Sequence, residues 1–241
     1  MIKYKILYVV FVSCYFFVSC YQEGEIERIH FNDKAFDSKY FEEDFEIGLD
    51  FSLNDSLFVK DVEKRYNIDL CENPNIDVVL DFKKLHKKIV VPVYVFKLCP
   101  YVIRCGRFNM DFTINDSGYV LMNHELITNN ATNVAQQIFE KIKEYNATRN
   151  RRKVSIDFYW EKGIKRTLVD QKFKELLKGV YLYKNHLSQQ LFQKSYTACT
   201  MNEIEKINDQ LMFYLHIKPS GLETPPPPPP PFPEELLNES S

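Results

Sequence analysis

Glycine is scarce in this sequence, which has 7 glycines among 241 residues. Nucleotide-binding loops place several glycines close together, and no Gly-x-x-x-x-Gly-Lys loop is present. The sequence also has no Gly-x-Ser-x-Gly elbow and no Ser-x-x-Lys. His124 opens an HEL tripeptide, but the second histidine of the zinc-protease motif is missing. These absences predict a protein that is not an enzyme and that holds no cofactor and no metal ion.

A charge excess is missing as well, because 31 Lys and Arg face 33 Asp and Glu, for a net charge of -2. Nucleic-acid binding draws its affinity from clustered positive charge, so we expect no nucleic-acid partner. Hydrophobic residues make up 45% of the chain and charged residues 27%, which is typical of a folded protein with a sizeable core.

The N-terminus has the three parts of an export signal. Lys3 and Lys5 are the basic region, Ile6 to Val18 is the apolar region, and Ser19 is the small residue before a cut. We therefore predict a signal peptide at residues 1–19. Cys20 follows directly and resembles the acylated cysteine of a bacterial lipobox, which makes it the predicted lipid attachment site.

An uncleaved membrane helix is the alternative at this end. The uncharged run from Ile6 to Gln22 has 17 residues, the lower limit for crossing about 30 Å of hydrocarbon. Phe17 departs from the lipobox, where Leu is usual. With either anchor, we expect an exported protein attached to a membrane, in the periplasm or at the outer membrane, through the lipid or through the N-terminal helix. Simple cleavage without a lipid is the remaining alternative.

Four cysteines remain after the export segment, namely Cys71, Cys99, Cys105 and Cys199. Export implies an oxidising compartment, in which disulfides form. Four cysteines allow three pairing schemes. Cys99 and Cys105 are close in sequence and flank Pro100, so we expect a disulfide between them.

Alternating strand patterns and helical repeats predict an α+β fold, with a mixed or antiparallel sheet and two or three packed helices, one of them long. The long helix runs from about Leu168 to Ser195, and its apolar stripe serves as core or as the seam of a homodimer. Thr200 and Glu203 form a capping-box signature for a short helix. The predicted strands are Ile76 to Phe82, Ile89 to Leu98, Met110 to Ile114, Tyr119 to Met122, Lys153 to Trp160 and Met212 to Ile217.

The charged clusters along the chain can be explained either as solvated surface residues or as functional groups. Arg149, Arg151 and Arg152 lie in a basic run that could contact lipid headgroups or peptidoglycan, or form a solvated loop. The carboxylate pairs Asp77/Asp81 and Asp157/Glu161 lie four residues apart in strand-like segments. We expect them on solvated sheet faces rather than across a catalytic cleft.

The C-terminal tail, residues 219–241, contains seven consecutive prolines and is predicted to be disordered or extended. It is a spacer, a simple disordered end or a ligand for an aromatic groove. As a ligand it would bind its partner through Pro225, Pro228, Pro231 and Phe232.

Four pieces follow one another between Met110 and Ile217, namely MDFTINDSGYVLMNHELI, NVAQQIFEKIKEY, KVSIDFYWEKGIKRTLVDQKFKELL and MFYLHI. Their order of elements resembles the periplasmic domain of the ExbD/TolR family, over about 110 of 241 residues. The resemblance implies a domain at residues 109–218, dimers, and contact with peptidoglycan or a TonB-type protein. The segment at 20–108 matches no part of that family, and its own patterns predict extra strands and a short helix.

The family couples proton flow to transport through an aspartate in its membrane helix, and no acidic residue stands between Ile6 and Gln22. We therefore expect a non-catalytic envelope lipoprotein that binds a TonB/Tol-type protein or peptidoglycan. One alternative is a membrane-anchored ExbD-type component of a proton-driven transport complex. The other is an envelope hydrolase, which a deep pocket gathering Asp157, Glu161 and His124 would favour.

Overall fold

The computed structural model describes residues 27–32, 38–99, 109–127, 134–149 and 153–219. In this part of the chain, nine strands and four α-helices are present. The strands are β1 (Glu27–His30), β2 (Glu46–Ile47), β3 (Asn75–Phe82), β4 (Lys87–Val95), β5 (Met110–Ile114), β6 (Val120–Met122), β7 (Glu125–Ile127), β8 (Lys153–Trp160) and β9 (Met212–Pro219). The helices are α1 (Asp55–Tyr66), α2 (Val134–Arg149), α3 (Arg166–Phe192) and α4 (Met201–Gln210).

All nine strands belong to one mixed sheet, and the predicted α+β fold class is confirmed. The order is β2-β3-β4-β9-β8-β5-β6-β7, and β1 pairs with β4 beside this path. The four central strands β4, β9, β8 and β5 run parallel. The flanking pairs are antiparallel. Because β4 pairs with β9, the strands before and after residue 109 share this sheet.

The helices lie on one face of the sheet. The chain passes from β5 through α2 to β8, and from β8 through α3 and α4 to β9, stepping in the same direction both times. Crossovers between parallel strands are right-handed, so two steps in one direction put their helices on the same side. All four helices share a single hydrophobic core with the inward side chains of the sheet. We call the other side the helix-free face, since no described helix packs on it.

Strand β8 shows how the sequence distributes its side chains between the two faces. Val154, Ile156 and Phe158 are fully buried, and Phe158 meets the ring of Phe173 in α3 edge-on, at 5.3 Å between ring centroids. The period of two along a strand places the alternate residues, Ser155 among them, on the helix-free face. The strand therefore carries core side chains on one side and polar ones on the other.

Helix α3 is the long helix that the sequence predicts, and it begins two residues earlier and ends three residues earlier than expected. Gln193 ends it in a left-handed conformation with φ 56°, and its backbone N–H donates to the carbonyl of Gln189. The apolar stripe is buried within the chain, apart from Leu191, which is 40% exposed. A homodimer through this helix stays a prediction.

Pro92 lies inside the sheet, because β4 has partners on both sides. Strand β1 pairs with β4 up to Val90, and β9 pairs with it from Val93 onward. Pro92 thus stands between two partners that lie end to end along one side of β4. A proline has no N–H to donate, and this interruption of the ladder lets an interior strand hold one.

Strand β7 is an element that the sequence patterns did not predict. A two-residue turn joins it to β6, with Asn123 at φ 51° and His124 at φ 66°. Positive φ at both central residues is typical of a tight hairpin turn. His124 is therefore a turn residue.

Candidate functional site

The four parallel strands align polar side chains in a row across the helix-free face. Asp111 of β5 is the register partner of Asp157 in β8, and Asp157 is the partner of His216 in β9. His216 is in turn the partner of Tyr94 in β4. Residues in direct register have Cβ atoms about 5 Å apart, so these side chains meet.

Asp157 is the centre of this row, and only 3% of its surface is exposed. Its Oδ1 lies 2.9 Å from His216 Nδ1 and accepts from Asn109 Nδ2 at 2.7 Å. Its Oδ2 accepts from the ammonium group of Lys218. Lys218 also donates to the hydroxyl of Tyr159 at 3.1 Å. A buried carboxylate is tolerated only when it is paired and hydrogen-bonded, and both conditions are met here.

The charges of this cluster depend on one another. Burial acts to raise the pKa of Asp157, but the hydrogen bonds from His216 and Lys218 and their charges outweigh it, so the pKa lies below its usual value. Burial acts to lower the pKa of Lys218, and the bond to Asp157 outweighs it and raises the pKa. The pair is therefore ionised at neutral pH.

The pKa of Asp111 shifts in the opposite direction from that of Asp157, although both groups are carboxylates. Burial, followed by the negative charge of Asp157, raises the pKa of Asp111. Two adjacent carboxylates in one row thus have pKa values that move apart, a pattern that is frequent at functional sites.

His216 connects the carboxylate to a hydroxyl group. Its Nε2 lies 3.3 Å from the Oγ of Ser155, on the opposite side of the imidazole from Asp157. The ring of Tyr94 lies 5.0 Å from the imidazole, centroid to centroid. A carboxylate at Nδ1 favours the tautomer with the proton on Nδ1, which leaves Nε2 as an acceptor for the hydroxyl of Ser155.

A shallow pocket of about 250 Å³ lies beside this cluster, near the carboxyl ends of β5 and β8. His124 and Glu161 both line it, but Asp157 does not. The other lining residues are Asp111, Thr113, Tyr159 and Trp160. The pocket therefore does not gather the three residues that would mark the hydrolase expected as an alternative.

Two features are absent from the described ranges. Within these ranges, no three His, Cys, Asp or Glu side chains are grouped so as to hold a metal ion. No helix among them combines the length and the apolar character that a membrane span requires. The candidate membrane helix, Ile6 to Gln22, lies outside them.

The predicted disulfide between Cys99 and Cys105 is wrong for Cys99, because Cys99 is bonded to Cys71. The bond joins the loop after α1 to the end of β4, two segments that the fold brings together although 28 positions separate the cysteines in sequence. Proximity in sequence was the only signal for the expected pair. Cys199 is a free, buried thiol.

The other predicted site residues are not brought together in the described part of the chain. Arg149 is the last residue of α2. The remaining ones lie outside the described residues, namely Cys20, Cys105, Arg151, Arg152, Pro225, Pro228, Pro231 and Phe232.

The cluster around Asp157 was not predicted from the sequence. This carboxylate was expected on a solvated face, whereas it is buried among its partners. The alternation in KVSIDFYW and MFYLHIKP places Ser155, Asp157 and His216 on alternate positions of two strands. That these two strands are parallel neighbours depends on long-range pairing, which no local pattern predicts.

Comparisons with protein-family models, with curated proteins and with solved structures find no match. The resemblance to the ExbD/TolR family therefore stays a prediction.

Proposed function

We propose that the chain is a membrane-anchored binding protein of the cell envelope, attached through Cys20, which binds peptidoglycan with the helix-free face of its sheet. The observation that carries this proposal is the row of polar and aromatic side chains across the four parallel strands. Their described hydrogen bonds reach other residues of the strands and Asn109, directly before β5, and none in the helices. In the described part of the chain, this row of side chains is thus not used to hold the helices.

The chemistry of this face suits a polar polymer. Tyr214 is 37% exposed and follows Phe213, which packs against the core. A tyrosine offers an apolar ring and a polar tip, which together suit the mixed surface of a sugar ring or a short peptide. Peptidoglycan presents sugars and short peptides, so an exposed tyrosine beside polar side chains fits this polymer.

A large protein partner is less well supported. Extended protein interfaces have an apolar centre that excludes water. The exposed large apolar side chains come from different elements, including Leu57 in α1, Met201 in α4 and Leu126 in β7. Within the described residues, no single element carries enough of these side chains to make such a centre.

Binding to purified peptidoglycan sacculi tests the proposal. The full chain is mixed with sacculi and sedimented, and a parallel sample is titrated with a TonB-type protein. We expect the chain in the peptidoglycan pellet, with half-saturation in the micromolar range. Binding to the TonB-type protein alone would overturn the choice of ligand, and binding to neither would overturn the proposal.

The attachment through Cys20 has its own test. The intact mass of the chain extracted from its native membrane is measured beside a Cys20→Ala variant. We expect a mature chain that begins at an acylated Cys20, and a variant without that mass. A full-length chain that still carries its N-terminal residues would instead favour the membrane helix and the ExbD-type component.

A further inference from the structure

Three side chains on the helix-free face are linked in a single chain of hydrogen bonds. Asp157 Oδ1 lies 2.9 Å from His216 Nδ1, and His216 Nε2 lies 3.3 Å from Ser155 Oγ. We propose that Ser155, His216 and Asp157 form a serine-nucleophile site that hydrolyses small acyl esters. This inference does not depend on peptidoglycan binding.

The order of atoms is what this chemistry requires. A serine hydroxyl becomes a useful nucleophile when an adjacent base takes its proton, and a third group orients that base. Ser155 and Asp157 lie two residues apart in β8, on the same side of the strand, and His216 on the neighbouring β9 is the register partner of Asp157. Asp157 thus lies at one nitrogen of the His216 imidazole and Ser155 lies at the other.

Surrounding residues hold the acid and the base in place. Asn109 donates to Asp157 Oδ1 at 2.7 Å, and Lys218 occupies Oδ2. The ring of Tyr94 lies 5.0 Å from the imidazole and restricts its rotation. Asp157 is therefore a positioning residue, while Ser155 and His216 act on the substrate.

Access to the hydroxyl limits the substrate. Ser155 is 8% exposed, and its register neighbour Tyr214 is 37% exposed. Because so little of Ser155 is exposed, we expect it to react with the smallest acyl groups, such as acetyl. The favoured substrate class is thus an ester of a short carboxylic acid with a larger alcohol.

The reaction balances without any further reagent. Ser155 Oγ attacks the carbonyl carbon of the ester, and its proton passes to His216 Nε2. The bond from carbon to the leaving oxygen breaks, and that oxygen takes the proton from His216 as the alcohol departs. A water molecule then attacks the acyl-serine with the same base, which releases the acid and restores Ser155.

Covalent labelling of the unaltered full chain tests the site directly. The chain is treated with a small alkyl fluorophosphonate, digested, and its peptides are weighed. We expect the phosphonyl group on Ser155, and no label there in His216→Gln. Absence of label on Ser155 in the unaltered chain overturns the proposal, and this outcome depends on no variant.

Ester hydrolysis gives a second readout. With p-nitrophenyl acetate, we expect Ser155→Ala to lower the rate by about 100-fold or more, the range for losing a positioned nucleophile and base. Ser117→Ala is the matched control and should keep the full rate, because Ser117 is exposed in the turn after β5. His216 lies on β9, which β8 separates from β5. Equal rates in Ser155→Ala and the unaltered chain would also overturn the proposal.

Discussion

Asp157 and His216 stand in direct register on neighbouring parallel strands, with 2.9 Å between Oδ1 and Nδ1. The pair lies in the middle of the sheet, between β5 and β4. Three strands that are distant in sequence must pair correctly before the carboxylate meets its partners. The charge cluster of the helix-free face is therefore a product of the complete fold.

Removing the Asp157 carboxylate leaves the charge of Lys218 without its partner. We expect Asp157→Asn to lower the free energy of unfolding by about 3 kcal/mol, as is usual for breaking a buried pair from one side. The additional change Lys218→Met should recover at least about 1 kcal/mol, because it removes the unpaired charge. Urea unfolding of the three chains measures both steps. A double variant no more stable than Asp157→Asn would contradict the pairing.

Burial of Lys184 in α3 should make the free energy of unfolding depend on pH. Only 1% of the surface of this lysine is exposed, and burial lowers its pKa from 10.5 to about 7. Between these values the unfolded chain binds the proton and the folded chain does not. The free energy of unfolding therefore rises with pH from about 7 to 10.5, by up to about 1.4 kcal/mol per pH unit. Below about pH 7 both states are protonated, and this contribution becomes constant.

Lys184→Met should remove that rise, and unfolding in urea across pH 7 to 10 measures it. The matched control is Lys178→Met, because Lys178 is an exposed lysine of the same helix. The control should keep the slope of the unaltered chain. A slope that persists in Lys184→Met would show that other groups cause it.

Gly179 permits the close approach of α2 and α3. A Cβ atom at this position would lie 2.5 Å from Ile138 Cγ2 and 3.0 Å from the carbonyl oxygen of Ala135. We expect Gly179→Ala to destabilise the protein by about 1–3 kcal/mol through overpacking. In a helix without such a contact the same change stabilises by about 1 kcal/mol, so the sign is diagnostic. Thermal unfolding measures it, with Lys178→Ala as the exposed control.

The disulfide between Cys71 and Cys99 closes a loop across 28 positions of sequence. Closing a loop of this length stabilises a protein by about 3–4 kcal/mol in the chain-entropy account, and Cys71→Ala should lose that amount. Cys105→Ala should lose none of it. A non-reducing peptide map is the direct check, and linkage of Cys99 to Cys105 would contradict the structure.

Local features of the fold were predictable from the sequence. The turn at Asn115–Gly118 joins β5 to β6 as its composition indicates, and the carbonyl of Asn115 accepts from Gly118 N–H at 2.8 Å. Thr200 and Glu203 form the predicted capping box, with both reciprocal hydrogen bonds present. Such signals work because all the interacting atoms lie within a few residues.

Features that depend on long-range pairing were not predictable. The pattern of β8 alone predicts an exposed Asp157, and only the pairing of β8 with β9 explains why this carboxylate is buried. Cys105 is near Cys99 in the sequence, but the disulfide partner of Cys99 in the fold is Cys71. Pro92 indicates an edge strand, and only the two partners lying end to end beside β4 make an interior position suitable.

The most direct test of the central claim is the binding of the full chain to purified peptidoglycan sacculi, measured for three forms side by side. Tyr214→Ala removes the exposed ring of the helix-free face, and Leu57→Ala removes an apolar side chain of α1 that is also exposed. We expect Tyr214→Ala to raise the dissociation constant about tenfold, as for a tyrosine that contributes to binding, and Leu57→Ala to leave it unchanged. Equal binding by Tyr214→Ala and the unaltered chain would contradict the claim that this face holds the ligand.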